Sequence, residues 1–167
     1  MPANNKCSKR YVEMKQKRAK MPFESSGYKF KKQRYRLEQV MAEIDRIAAV
    51  RKYRSNGYEL KHCTKRDMHI YLKSIPYNLA ENLGYNIVFG IDGLIGDGVD
   101  KAKVDKIKNV YTPKIERLVA DCDRVTNLLR GNIKLEYDNL KNGQSETKDL
   151  VYSAFALVDD IIIEAGI

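Results

Sequence analysis

The feature that most restricts the fold is an apolar beat at three- and four-residue steps, which runs through most of the chain after residue 36. It is clearest in Ile115, Leu118, Val119, Cys122, Val125, Leu129, Ile133 and Leu140. This is the spacing of one face of an α-helix, whereas a half-buried strand needs apolar residues at every second position. Leu37, Val40, Met41, Ile44, Ile47 and Ala48 carry the same beat. So do Met68, Tyr71, Leu72, Ile75, Leu79, Leu83, Ile87, Ile91 and Leu94. Val151, Ala154, Phe155, Val158, Ile161 and Ile162 mark a last helix. The one alternating stretch, "YKFKK", is too short and too charged to anchor a sheet. The expected fold class is all-α, an antiparallel four-helix bundle over residues 37–167. A basic N-terminal extension, residues 1–36, precedes it and has too little apolar surface to fold alone.

Punctuation residues divide these stripes. Asn56-Gly57 is a turn signal, and Thr64 offers an N-cap with Asp67 three residues on. Pro76 predicts a kink or a restart after Ser74. Gly96 and Gly98 with Asp97 end that helix, and Thr112-Pro113 reads as the start of the third main helix. "KNGQS" makes the next turn, and Gly166 reads as a C-cap.

The glycine-rich run "SIPYNLAENLGYNIVFGIDGLIGDG" raises the question of a phosphate loop. A P-loop needs Gly-x4-Gly-Lys-Ser/Thr after a strand, but Gly98 is followed by Val-Asp-Lys. The Gly-x-Gly-x-x-Gly dinucleotide pattern is not met either. Gly90, Gly93 and Gly96 step by three within a helical beat, each costing about 1 kcal/mol against Ala. They are expected to form a packing seam where another backbone comes close.

Catalytic chemistry finds little support. His62, Cys63 and His69 lack the paired short spacings of a zinc site, and Cys7 and Cys122 are remote in sequence. The two histidines sit in no nucleophile motif. The acid pairs Asp121/Asp123 and Asp159/Asp160 would have to converge to serve a two-metal nuclease, and adjacent helical acids diverge. No catalytic residue, metal or cofactor is expected. No apolar run approaches the roughly 20 residues of a membrane span. The polar, basic start "MPANNKCSKR" is not a secretory signal, and three cysteines at no useful spacing fit a reducing cytoplasm.

Charge is segregated. Residues 1–73 hold 20 Lys and Arg against 7 Asp and Glu, while residues 74–167 hold 11 against 15. A basic front on an acidic body points to a polyanionic partner. "YKFKKQRYR" interleaves Tyr28, Phe30 and Tyr35 with Lys29, Lys31, Lys32, Arg34 and Arg36. Cations can hold phosphates while rings stack on unpaired bases. Arg51, Lys52, Tyr53, Arg54, Lys65 and Arg66 repeat the mixture. Arg117 and Arg124 share a helix flank, as do Arg130 and Lys134, and either extend the surface or merely solubilise the helix. Asp159, Asp160 and Glu164 crowd a helix C-terminus, where the macrodipole disfavours them, so either a basic element nearby, such as one from a neighbouring subunit, compensates them or they are fully solvated at small cost.

Two segments resemble a known family. "YLKSIPYNLAENLGYNIVFGIDGLI", a lysine-rich connector and "IERLVADCDRVTNLLRGNIKL" are similar to the four-helix-bundle accessory proteins (accessory variability determinant) of diversity-generating retroelements. Ser74–Glu81 also resembles the Ser-Ile-Pro-x-Asn-x-Ala-Glu run of the related ribosomal-RNA intervening-sequence bundle proteins. The resemblance covers about residues 68–165. It implies a non-enzymatic homo-oligomeric ring that binds RNA or DNA and partners a reverse transcriptase during mutagenic cDNA synthesis. Leu128, Leu129 and Arg130 match the family's "LLR", whereas Gly131-Asn132 replaces its apolar continuation. The expected function is therefore that of a cytoplasmic, nucleic-acid-binding accessory bundle. The alternative is a phage or mobile-element packaging protein whose basic arm neutralises genome phosphates.

Overall fold

A computed structural model describes residues 26–49 and 65–167. Among these residues every regular element is helical. Helix α1 spans Ser26–Ala49 and α2 spans Lys65–Asn82. A π-helical turn, Leu83–Ile87, carries α2 into the short α3, Val88–Gly93, and a 3-10 turn, Leu94–Asp97. Helix α4 is Lys101–Leu129, α5 is Ile133–Lys141 and α6 is Glu146–Ala165. Helix α1 packs on α6, α2 on α4, and α4 on α6, with α5 set against α2.

The apolar stripes become the core. Leu72, Ile75, Leu79, Leu83, Ile87, Ile91 and Leu94 are buried, as are Ile115, Leu118, Cys122, Val125 and Leu129 from α4. Val151, Ala154, Val158, Ile161 and Ile162 meet them from α6. Buried apolar area at about 25 cal/mol per Å² is the main term holding such a fold together.

The ends of these elements follow from local chemistry. The 3-10 turn stops at Gly98, whose φ of 86° lies in the left-handed region. There the amide of Gly98 donates to Ile95 O and that of Val99 to Leu94 O, the paired bonds that close a helix on a C′ glycine. Gly166 ends α6 in the same way. At the α5–α6 turn, Ser145 caps α6 by accepting from the Lys148 amide at 3.1 Å. Its hydroxyl donates to the buried carboxylate of Glu136, whose pKa burial pushes upward.

Several expectations are corrected. Thr112-Pro113 does not start a helix, because Pro113 lies inside α4, a single rod of 29 residues. Pro113 is exposed, so its ring stands clear of the core. Of the kink or restart expected at Pro76, the restart does not occur, since α2 continues through it. Of the expected glycine seam, Gly90 meets a neighbour and Gly96 does not. A Cβ on Gly90 would lie 3.1 Å from the Phe30 ring, while Gly96 has open space around it. What comes close to Gly90 is a phenyl ring, not a backbone. The boundary expected at residue 36 falls inside α1, since residues 26–36 are helical. The cap at Thr64 lies outside the described residues.

Candidate nucleic-acid interface

Helix α1 is held along its whole length by residues distant in sequence. The Gly27 amide donates to the Asp97 carboxylate at 2.6 Å, so an acceptor from another element satisfies one of the free donors in the first turn of α1. Phe30 is 1% exposed, seated against Gly90. Arg34 pairs with Asp159 at 2.9 Å, and both groups are about one-third exposed. Ile44 and Ile47 are buried in the core. Asp45 accepts from Tyr152 at 3.2 Å and pairs with Lys148 at 3.5 Å. At the far end Lys141 donates to Ala48 O at 3.1 Å, a cation at the negative end of the helix. Burial there lowers the Lys141 pKa.

The opposite face of α1 is a stripe. Tyr28, Lys31, Lys32, Tyr35 and Arg36 stand at i, i+3, i+4, i+7 and i+8, one side of a helix, and all five are exposed. Tyr28 and Tyr35 remain 55% and 61% exposed. Lys31, Lys32 and Arg36 form no ion pair with another described residue. Two ring faces and three cations thus alternate along roughly two turns. Lys29 is exposed beside them. Phe30 is corrected as a stacking residue, because the helical period that exposes Tyr28 turns Phe30 inward. Arg34 is engaged by Asp159.

The remaining expected residues divide. Arg51, Lys52, Tyr53 and Arg54 lie outside the described residues, and Lys65 and Arg66 form the first turn of α2. On α4, Arg117 is exposed without an ion pair among the described residues, whereas Arg124 pairs with Glu146 at 2.7 Å. Arg130 and Lys134 are exposed on either side of the α4–α5 turn. Since α1 packs chiefly on α6 and scarcely on α4, the α4 arginines do not continue the α1 stripe.

Two of the three crowded acids of α6 find partners within the chain, and Asp160 is exposed. Asp159 has Arg34, and Glu164 accepts from the Tyr111 hydroxyl at 2.6 Å. That bond holds the Tyr111 pKa up at about 12. Cys122 is buried and its thiol is pushed up to about 12 by desolvation, then by Asp123 and Asp121, which leaves it a poor nucleophile.

Two features were not legible beforehand. Tyr77, Tyr85 and Phe89 line an open groove with Glu81 and Asp123, an aromatic surface of the wrong charge for phosphates. Between α1 and α2 a partly enclosed cleft is walled by apolar side chains and edged by Gln33, Arg36, Asn78 and Asn82. No helix among the described residues is long and apolar enough to cross a membrane. Comparison with protein-family models, with curated proteins and with solved structures finds no match to this chain.

Proposed function

We propose that the protein is a non-catalytic, nucleic-acid-binding four-helix bundle with a basic N-terminal extension, and that α1 carries its binding surface. The observation that supports this reading best is the exposed stripe of Tyr28, Lys31, Lys32, Tyr35 and Arg36. Its cations lack ion-pair partners among the described residues, so phosphates would displace only water and small ions. Its tyrosines offer ring faces, which favours single strands, whose bases can unstack onto them. The segregated charge supports the same direction, with the polyanion meeting the front of the chain.

The resemblance to retroelement accessory proteins extends the reading to an oligomer that binds RNA or DNA beside a reverse transcriptase in the cytoplasm. The exposed Tyr85 and Phe89 are available for contacts between copies or with that enzyme.

The test is fluorescence anisotropy with single-stranded RNA, single-stranded DNA, duplex DNA and a hybrid across a salt series. Replacing Lys31, Lys32 and Arg36 together by Gln should flatten the log–log salt slope by about 2 for a single strand, at about 0.7 per lost phosphate contact. An unchanged slope in a folded variant removes α1 from the interface. EDTA-sensitive cleavage of the same substrates with Mg²⁺ or Mn²⁺ would replace this reading with a nuclease. Co-purification with a reverse transcriptase encoded beside the gene tests the accessory role.

A further inference from the structure

The cleft between α1 and α2 exists because of how the helices choose partners. Helix α1 rests on α6 and α2 on α4, so these two neighbours hardly touch each other. The gap between them holds a cavity of about 120 Å³. Leu37 and Val40 of α1, Ile75 and Leu79 of α2, and Val151 and Val158 of α6 form its wall. Its edge is polar. The carboxamides of Gln33 and Asn78 make no hydrogen bond to another described residue, while Asn82 accepts from Asn86 at 3.0 Å. Arg36 stands at this mouth and is also the last cation of the α1 stripe.

Resting on the reading of α1 as the binding surface, we propose that the cleft receives one unpaired pyrimidine base from the strand whose phosphates lie along the stripe. Size decides the class. At about 120 Å³, against the roughly 150 Å³ of an apolar cavity that holds benzene, the cleft is on the scale of a single six-membered ring and small for a fused purine. Chemistry decides the rest. Apolar walls accept the faces of the ring, and a carboxamide offers a donor and an acceptor side by side, matching the Watson–Crick edge of uracil or cytosine. Arg36 then holds the phosphate next to the inserted nucleotide. A plain hydrocarbon ligand would make no use of the polar edge or of the cation.

The experiment measures the affinity of the full chain for three single-stranded oligonucleotides of equal length and charge: oligouridine, oligoadenosine and an abasic strand. Oligouridine should bind about tenfold or more tightly than the abasic strand, the range for a sequestered base, and more tightly than oligoadenosine. Asn78→Ala, at an exposed position, and Val40→Phe, which fills the cleft, separate the cavity from the tyrosines. Each should remove much of the gap between oligouridine and the abasic strand while leaving abasic affinity unchanged. If Val40→Phe fails to fold, Asn78→Ala alone decides. Equal binding of oligouridine and the abasic strand overturns the pocket and leaves the stripe standing. The same holds for a gap untouched by the variants, or for preferred oligoadenosine. Failure of all three oligonucleotides to bind overturns the stripe and the pocket together.

Discussion

Gly90→Ala asks whether α1 is held in place by a ring against a glycine. The added methyl would sit 3.1 Å from Phe30 Cζ and 3.5 Å from Cε1 and Cε2, so it meets the ring end-on. Replacing glycine by alanine inside a helix gains about 1 kcal/mol from propensity alone. Forcing a methyl into a filled site costs about 1–3 kcal/mol. Phe30 is 1% exposed and part of the buried core, so its ring can give way only by displacing its neighbours. The crowding should therefore win, and the variant should lose about 1 kcal/mol. Phe30→Leu removes the tip of the ring and should itself cost about 1–2 kcal/mol. On that background Gly90→Ala should become stabilising by up to about 1 kcal/mol, so the two changes couple by about 1–3 kcal/mol. Urea unfolding followed by circular dichroism measures this as shifts in midpoint at constant slope. A rise in midpoint for Gly90→Ala in otherwise unaltered protein would show that the ring yields freely, and the clamp on α1 would have to be abandoned.

Other outcomes can be stated more briefly. In a double-mutant cycle on Arg34→Gln and Asp159→Asn, the coupling should be no more than about 1 kcal/mol, because both groups are partly solvated. A null coupling would mean the pair does not fasten α1 to α6. Burial raises the Glu136 pKa, so the folded state holds that proton more tightly than the unfolded chain and loses stability as pH climbs through the folded value. Glu136→Gln should thus be more stable than wild type at neutral pH, the difference closing as the solution is acidified; a gap that widens instead reverses the sign. Tyr111 should be among the last tyrosines to ionise in an ultraviolet titration, near pH 12, and Glu164→Gln should bring it earlier. In a Cys7→Ser/Cys63→Ser protein the remaining Cys122 should react with a thiol reagent only at the rate of unfolding, and fast labelling of the native state would contradict its burial.

The stripes of α2, α4 and α6 were legible because a 3.6-residue period is imposed by the core they share, and nearly every apolar position in them is buried. Helix starts were less legible. Residues 26–36 look like an unstructured basic arm because the groups that fix them, Asp97, Gly90 and Asp159, are 60 or more residues away and leave no local trace. Thr112-Pro113 imitates a helix start because a proline on the solvent side of a long rod loses one hydrogen bond without disturbing the core. Regular spacing alone did not distinguish Gly90, which faces a ring, from Gly96, which faces open space. Of the acids at the end of α6, Asp159 is met by α1 and Glu164 by α4 of the same chain, while Asp160 faces solvent. For the candidate surface on α1, the mixture of rings and cations was visible, but only the helical period sorts Tyr28 and Tyr35 outward from Phe30 inward. The cleft was invisible, because it is a property of which helices avoid each other.

That α1 takes its cap from Asp97, its terminal donor from Lys141 and its packing partner from α6 has a consequence for synthesis. A lone 24-residue segment of this composition is a marginal helix in water. It leaves the ribosome first among the described helices yet must wait for the final one to gain its scaffold. Nascent chains would carry the cations of α1 but not their ordered array until α6, which ends at Ala165, has been made.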